Sequence, residues 1–323
     1  MSLLAKWLAS PPPDAAVEIA PERVSAAAAS RGGSGGAALA VQAHAVEPLP
    51  PGAVVPSLTS QNIVDPAAVA AAVRTVLGRL GTRPARVALI IPDLAAKVSL
   101  LKFDQVPDKR EDLDQLVRWQ VRKSAPFPIE EACITYTAGL RDAGAGEFVV
   151  ALARRHVIEE YEQVCAAAGV YAGLVDLATF SIVNLYLASG SAPPGDWLAV
   201  HMRPDYTSIA IVRGENLIFF RNRPEGEEEP LADLVHQTTM YYQDRLAGQG
   251  FSRVLMGGRG RAAGTLDQAR RSLEERLGVP VDQIDPTKFA TLNDRIGVTP
   301  DTMDILAPLA GILMRTHHEA VSA

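Results

Sequence analysis

One succession of sequence patterns occurs twice along this chain and constrains its fold more than any other feature. In the first half, alternating apolar residues at 17–26, a glycine-rich turn at 31–36 and a further strand at 38–46 predict a β-hairpin, which a helix and a buried strand follow. In the second half, a strand at 197–202 leads into a hairpin that turns at Gly214, and a long helix and another strand come next. This repeated order predicts a duplicated α/β architecture with mixed sheets.

Capping residues and prolines predict where two helices of the first half begin. Asp65 directly precedes Pro66, so Asp65 is the expected N-cap of a helix with proline in its first turn. Asp108 is likewise predicted to cap a second helix. The apolar face of that helix is predicted to consist of Leu113, Leu116, Val117 and Val121.

A compact module is predicted around this second helix. A buried strand at 86–92 is expected to pair with a strand at 98–106. A strand at 148–153 and a helix at 157–168 follow, and Gly169 is expected to end the helix in a left-handed conformation. Such a module can fold as one subdomain.

The composition is that of an ordinary globular protein and excludes several functional classes. With 323 residues, the chain is long enough for about two domains. The net charge of −6, without any cluster of Lys and Arg, argues against nucleic-acid binding. Cys133 and Cys165 have neither companions nor motif spacing, so no disulfide framework and no metal site is expected.

The apolar segments of the chain predict a cytoplasmic protein. No apolar run reaches the ~18 residues that a transmembrane helix needs, and the N-terminus lacks the long apolar core and cleavage site of a signal peptide. Residues 1–9 form a short amphipathic stretch. We interpret it as a docked or frayed terminal turn, with contact to a membrane surface as the alternative.

A glycine turn in the second half suggests part of a nucleotide site. Residues 253–256 have the pattern of a buried strand, and Gly257, Gly258 and Gly260 follow it before an amphipathic helix. Glycines in such a turn let the backbone approach a flat or anionic ligand. The competing interpretation, which we favour, is a tight strand-to-helix turn that binds nothing.

Five short segments, in order and spacing, resemble one known family. The first is DLDQLVRWQVRKSAPFPIEE at 112–131, and the next is VVALARR at 149–155. AAGV at 167–170 is followed by VDL at 175–177, and Gly257-Gly258 precedes LGVPV at 277–281. Together these segments resemble the type IV pilus assembly protein PilM, whose actin-like fold is related to that of the cell-division protein FtsA and similar to the cytoplasmic module of the type II secretion protein GspL.

The resemblance implies a duplicated actin-like (ribonuclease H-like) fold of two domains with an inserted FtsA-type subdomain. Residues 1–13 would form an N-terminal segment, and residues 86–173 the inserted subdomain. The first actin-like domain would comprise residues 14–85, 174–194 and 309–323. The second would comprise residues 195–308.

The resemblance also implies a scaffold at the cytoplasmic face of the inner membrane. Its partner would be a PilN-like membrane protein whose N-terminal cytoplasmic peptide lies in a groove involving the inserted subdomain. An extended apolar peptide suits a groove with strand edges and aliphatic pockets, although no motif assigns the groove residues. Membrane association would be peripheral, through this partner. Further pilus or secretion assembly proteins and a homo-oligomer stay open as partners, and no nucleic acid is expected.

The two turns that hold phosphates in actin-like ATPases carry different residues here. Such ATPases use an Asp-x-Gly turn in each half, where the carboxylates organise Mg²⁺ and the glycine lets N–H groups approach the phosphates. The first turn corresponds to Glu18-Ile19-Ala20-Pro21, and the second to His201-Met202-Arg203-Pro204-Asp205. Neither glycine is present, Asp205 is displaced, and His201 is interpreted as a solvent-facing residue at the strand end.

The candidate nucleotide site is therefore predicted to be degenerate. It comprises Glu18, Ala20, Arg203, Asp205, Gly257, Gly258 and Gly260, with no catalytic residue and no metal ligand. No cofactor is expected, and binding of ATP without hydrolysis is the weaker alternative. The rival hypothesis is an ATP-binding or ATP-hydrolysing enzyme of the actin and sugar-kinase superfamily, which would need Mg²⁺.

Overall fold

Three β-sheets and seven α-helices make up the described part of the chain. The computed structural model describes residues 13–31, 39–142, 144–190, 192–224, 231–259, 265–293 and 296–322. The strands are β1 (Ala15–Ile19), β2 (Arg23–Arg31), β3 (Leu39–Pro48), β4 (Arg86–Ile91), β5 (Ala96–Phe103), β6 (Ala132–Asp142), β7 (Ala145–Arg154), β8 (Tyr171–Leu177), β9 (Asp196–Met202), β10 (Tyr206–Arg213), β11 (Asn216–Pro224), β12 (Arg253–Gly258), β13 (Val281–Gln283) and β14 (Ala290–Leu292). The helices are α1 (Pro66–Arg79), α2 (Arg110–Arg122), α3 (Arg155–Ala167), α4 (Ala178–Ala188), α5 (Leu231–Arg245), α6 (Thr265–Leu277) and α7 (Pro300–Ser322).

The two larger sheets share one strand order, which confirms the predicted duplication. The first runs β14-β3-β2-β1-β4-β8 and the second β11-β10-β9-β12-β13. Apart from β14, each strand of the first sheet has a counterpart in the second. The strands β1 and β9 correspond, because each pairs with an antiparallel hairpin strand on one side and with a parallel strand on the other. The predicted α/β class with mixed sheets is therefore correct.

The first hairpin differs from its prediction. Residues 17–26, expected to form one strand, belong to β1 and β2, which pair antiparallel across a tight turn that starts at Ala20. The short alternating pattern concealed this turn because Pro21 and Glu22 interrupt it for only two residues. The glycine-rich segment at 32–36 lies outside the described residues.

An apolar core joins the two larger sheets. It contains α4 and α7 between the sheets, together with inward side chains such as Trp197 and Tyr186. The two helices cross at close range, since a Cβ on Gly311 would lie 1.8 Å from the carbonyl oxygen of Ser181. A second core packs α1 and α3 against the first sheet. The predicted N-cap of α1 is confirmed, because the Asp65 carboxylate accepts a hydrogen bond from the Ala68 N–H at 2.9 Å.

The third sheet, in the order β5-β7-β6, lies between β4 and β8 in the chain. We call it the inserted sheet. Its strand β5 pairs with β7, so the predicted pairing of strands 86–92 and 98–106 is wrong, and β4 instead lies between β1 and β8 in the first sheet. Strand β6 was not predicted.

Helix α2 covers one face of the inserted sheet. Val117 and Val121 are buried against Phe103 and Phe148, whereas Leu113 and Leu116 are half-buried at the margin of the same cluster. The predicted cap is wrong, because the helix starts at Arg110 after an extended Lys109 without any side-chain cap. Packing of the apolar face, rather than a cap, therefore holds this helix in place.

The division of the chain into four parts stays a prediction. Two strands pair outside the part to which they were assigned. Strand β4, assigned to the inserted subdomain, is hydrogen-bonded into the first sheet, and so is β14, assigned to the second domain. None of the helices within the described residues is long and apolar enough to cross a membrane.

Candidate functional site

Two tight turns occupy equivalent positions in the two halves. In the β1–β2 turn the Ala20 N–H donates to the Arg23 carbonyl oxygen at 2.9 Å, and in the β9–β10 turn the Arg203 N–H donates to the Tyr206 carbonyl oxygen at 2.8 Å. Each turn has proline in second place and an acid in third, which are Pro21-Glu22 and Pro204-Asp205. Ala20 and Arg203 therefore correspond, as do Glu18 and His201 on the preceding strands.

Arg203 forms ion pairs with the first turn across the space between the sheets. Its Nη2 lies 3.4 Å from Glu18 Oε1 and 3.2 Å from Glu22 Oε1, and its side chain is 4% exposed, against 2% for Glu18. Arg23 Nη2 approaches the other Glu18 oxygen at 3.3 Å, and Ser25 Oγ donates to it at 3.1 Å. The Glu18 carboxylate is thus fully enclosed by donors of the protein itself.

The pKa values of this pair follow from the enclosure. Burial alone would raise the pKa of Glu18, but the guanidinium groups of Arg203 and Arg23 and the Ser25 hydroxyl outweigh it, and the pKa lies below its ordinary value. Burial alone would lower the pKa of Arg203, and Glu18 and Glu22 more than reverse that effect. Both groups are therefore charged at neutral pH.

A cleft of about 310 Å³ separates the two turns. It is lined by Glu22, Arg23, Val46, Pro48, Arg203, Pro204, Gly258, Arg259, Asp301, Asp304 and Ile305. Arg259 and Asp301 form an ion pair at its edge. Of the predicted site residues, Arg203 and Gly258 line this cleft, whereas Ala20 is buried at the start of its turn and Asp205 faces elsewhere.

Gly257 and Gly258 are required by packing. Gly258 has φ +90, and a Cβ there would lie 1.9 Å from the Met202 carbonyl oxygen, so only glycine lets β12 approach β9 at this point. The Gly258 N–H donates to Asp304 Oδ1 at 3.1 Å, and the Arg259 N–H donates to the Met202 carbonyl at 3.0 Å. At Gly257 a Cβ would meet Ile284 Cδ1 at 2.9 Å. Gly260 lies outside the described residues.

Asp205 is an isolated acid. Neither of its buried carboxylate oxygens has a hydrogen-bond partner within the described part of the chain. Burial raises its pKa to about 6, although Arg203 opposes the change.

These residues do not fit Mg-ATP. The acid of the first turn is paired with two arginines, the second turn begins with a guanidinium, and the Gly258 N–H is bonded to Asp304. Magnesium prefers carboxylate and water oxygens and a phosphate needs free N–H donors, whereas among the described residues the Glu18 carboxylate and the Gly258 N–H are already bonded within the chain. Among the described residues no group of three His, Cys, Asp or Glu side chains is arranged to hold a metal ion.

A buried polar network that the sequence analysis missed also connects the halves. Asp93, which follows β4, accepts hydrogen bonds from the Thr179 N–H at 3.0 Å, from the Thr179 hydroxyl and from Ser208 Oγ at 2.6 Å. His201, predicted to face solvent, is buried with Nδ1 2.9 Å from Thr179 Oγ1, and burial holds its pKa well below the usual value. An acid directly after a buried strand was the one available signal for Asp93.

A second opening, which we call the crevice, lies between the inserted sheet and the first sheet. Its volume is about 390 Å³. The lining is mostly apolar and comprises Ile91, Ala96, Cys133, Thr135, Tyr136, Thr137, Val149, Ala151, Ala153, Ile158, Leu174, Val175, Asp176, Leu177, Phe180 and Arg315. Among the described residues, β8 is the last strand of its sheet and β6 the last of the inserted sheet, so two edge strands border the crevice.

The two matched sheets, the cleft between them and the sheet inserted in the first half define a protein of the actin-like fold. A sequence model of the type IV pilus assembly protein PilM matches residues 16–244, which is well over half of the chain. The chain therefore belongs to the PilM family.

Solved structures agree with this fold. The PilM-PilN type IV pilus biogenesis complex is similar with a TM-score of 0.78 and 17% identity, over 94% of this chain and 98% of that chain. A Bacteroides thetaiotaomicron protein with an actin-like ATPase fold has a TM-score of 0.48 at 10% identity, over 95% and 98% of the two chains. The cytoplasmic domain of EpsL, an inner membrane component of the type II secretion system of Vibrio cholerae, has 0.46 at 9% identity, over 81% and 93%. The last two add nothing to the assignment at this level of similarity.

Proposed function

We propose that this chain is a cytoplasmic scaffold of a type IV pilus assembly complex that binds the N-terminal peptide of a PilN-like inner-membrane protein. Its family membership and its fold, shared with the subunit of a PilM-PilN complex, support this proposal. The scaffold would be held at the inner membrane through that partner. A related type II secretion complex would use the same arrangement.

The crevice is the peptide site in this proposal, and the open edges of β6 and β8 are the observation that supports it most strongly. An edge strand presents unpaired N–H and C=O groups, and an extended peptide can pair with them as an added strand. The apolar side chains of the crevice, such as Val149, Ala151 and Leu174, would receive alternate side chains of the peptide. An apolar tail therefore matches both the backbone and the side chains of this opening.

The crevice also has a charged part, formed by Asp176 and Arg315. Arg315 Nη1 lies 2.6 Å from Asp176 Oδ2, and both side chains are partly buried. This ion pair lies beside a mostly apolar channel, where Thr135 and Thr137 of the lining would offer hydroxyl groups to the main chain of a bound peptide.

ATP hydrolysis is not part of the proposed function. Glu18, Arg203 and Gly258 are bonded to other groups of the chain, so the metal and donor placement that phosphoryl transfer requires is missing. The proposed role is therefore recognition of another polypeptide.

The test is a titration of the intact protein with a fluorescently labelled peptide that comprises about the first dozen residues of the PilN-like protein encoded beside it. Ala151→Arg places a long charged side chain in the crevice and should weaken binding at least about tenfold, which is about 1.4 kcal/mol. The matched control is Ala138→Arg on β6, an exposed alanine on the opposite face of the inserted sheet, which should leave the affinity unchanged.

Two results would contradict the proposal. One is absence of binding to both the peptide and the intact partner protein. The other is equal loss of affinity in the two arginine variants, because the crevice would then have no special part in binding. Melting curves of both variants separate lost affinity from lost stability, because Ala151 is half-buried on the central strand β7 whereas Ala138 is exposed on β6.

A further inference from the structure

The ion pairs of Arg203 with Glu18 and Glu22 connect two separately folded sheets. Glu18 is on β1, and Glu22 is in the β1–β2 turn, whereas Arg203 follows β9 in the second sheet. The ion pair of Arg213 with Asp196 at 2.7 Å, by contrast, joins two strands of the second sheet. Arg203 therefore connects the two halves by ion pairs, beside the hydrogen bond of Ser208 with Asp93.

The position of Arg203 is the one that a bound cation and phosphate would need. It opens the second turn, lies opposite the acid of the first turn and is almost fully buried. A guanidinium is permanently charged and presents several donors in a fixed plane, so it can satisfy two carboxylates from one side. The protein thus supplies its own positive charge between the turns.

The remaining donors on the second side of the cleft are also bonded within the chain. Asp304, on α7, accepts from the Gly258 N–H, and the Met202 carbonyl accepts from the Arg259 N–H. Both contacts lie within or beside the cleft lining. These two contacts bridge the described part of this side of the cleft without an added ligand.

We propose that Arg203 is a fixed internal counter-ion that keeps the interdomain cleft closed without nucleotide. We call its contacts with Glu18 and Glu22 the Arg203 clasp. The clasp acts beside the apolar core and the Asp93 network, which also connect the two halves. This inference concerns the cleft alone and does not rest on peptide binding at the crevice.

The test measures the distance between the two halves by electron paramagnetic resonance. Spin labels are placed at exposed Arg74 on α1 and Asp244 on α5, in a variant with Cys133→Ser and Cys165→Ala that is first shown to fold. The unmodified clasp should give one narrow distance distribution, identical with and without Mg-ATP. Arg203→Met should add a second distance, with the open population raised about tenfold or more.

Two further variants separate opening from general destabilisation. The double variant Glu18→Gln/Arg203→Met removes both charges of the buried Glu18–Arg203 pair. It should therefore fold and still show the second distance. Arg213→Met removes an ion pair of similar type within the second sheet and should keep the single distance. A single unchanged distance in both Arg203 variants would overturn the proposal.

The response of the spin-label distance to Mg-ATP can also contradict the proposal. If Mg-ATP shifts the distance distribution of the protein that retains Arg203, and Arg203→Met abolishes the shift, then Arg203 is a phosphate ligand and the clasp proposal is wrong. Peptide titration of the same variants tests the crevice separately, so the two proposals can fail independently.

Discussion

The cleft and the crevice differ in whether their polar groups are already bonded. In the cleft, Glu18 pairs with Arg203, and the Gly258 N–H pairs with Asp304. Along the crevice, β6 and β8 each end a sheet, and their outer edges are open. The cleft resembles a ligand site by position, yet the crevice is the opening that has unpaired main-chain groups to offer. Under the proposed function, the edge strands of the crevice rather than the two turns of the cleft would mark the binding site.

The largest effect is expected from Gly258→Ala, which tests whether the cleft glycines serve packing. Because φ is +90 and the added Cβ would lie 1.9 Å from the Met202 carbonyl oxygen, the substitution should cost about 4 kcal/mol in the free energy of unfolding. In Gly257→Ala the added Cβ would lie 2.9 Å from Ile284 Cδ1 and 3.0 Å from Ile284 Cβ, contacts with a side chain rather than with a carbonyl oxygen, and the substitution should cost about 2 kcal/mol. Urea unfolding measures both. Equal, small losses would mean that Gly258 is free for another task.

The next effect concerns the Arg203 clasp as a contribution to stability. Arg203→Met leaves the buried Glu18 without its principal cation and should lower the free energy of unfolding by about 3 kcal/mol at pH 7. Addition of Glu18→Gln should recover most of this loss, since the unpaired charge is then removed. A double variant as unstable as the single one would contradict this account.

The same pair predicts a pH dependence with a definite sign. The pKa of Glu18 is lowered in the folded protein from its model-peptide value of 4.5, so its stabilising contribution is present above that value and is lost as the pH falls through the lower folded pKa. The difference in stability between the unmodified protein and Arg203→Met should therefore shrink under acid conditions. Urea unfolding between pH 7 and pH 3 would measure this trend, and a constant difference would exclude Glu18 as the group responsible.

A smaller effect of opposite sign is expected at Asp205. Its folded pKa, raised to about 6 from 3.8, favours the folded state below pH 3.8, and this contribution is lost as the pH rises through about 6. Asp205→Asn removes a buried, unpartnered charge and should raise the free energy of unfolding by about 1 kcal/mol at pH 7.5. The gain should diminish towards pH 4. A loss of stability at pH 7.5 would indicate that Asp205 has a partner that binds it.

The smallest effect, which is none, is expected from Mg-ATP. A ligand present at 100 times its dissociation constant would stabilise the folded protein by about 2.7 kcal/mol, which a thermal melt readily detects. Because the Gly258 N–H and the Arg203 guanidinium are bonded within the chain, millimolar Mg-ATP should leave the melting temperature unchanged. A clear increase would support the rival ATP-binding interpretation and end the contrast between the two openings.

Local features of the fold were predictable from the sequence, and distant pairings were not. The cap at Asp65, the left-handed stop at Gly169 and the turn at Gly214 depend on a few neighbouring residues. The partner of β5 depends instead on which strand lies beside it in space, and the prediction failed there. Periodicity describes how one strand is buried but does not identify the strand that pairs with it.

The candidate site shows the same division. The loss of both glycines at the two turns was legible because the resemblance to actin-like ATPases supplied the Asp-x-Gly pattern for comparison. The contact between Arg203 and Glu22, 181 residues apart, was not, and neither was the burial of His201 against Thr179. These contacts depend on how the two sheets face each other, which single-sequence patterns do not encode.

Only the first half of the duplicated fold contains the inserted sheet, so each chain has a single opening with two free strand edges. The counterpart of β8 in the second half is the three-residue β13, which has no such sheet opposite it in the described residues. Under the proposed function, this asymmetry within the repeat means that each scaffold subunit would take up one tail at its crevice.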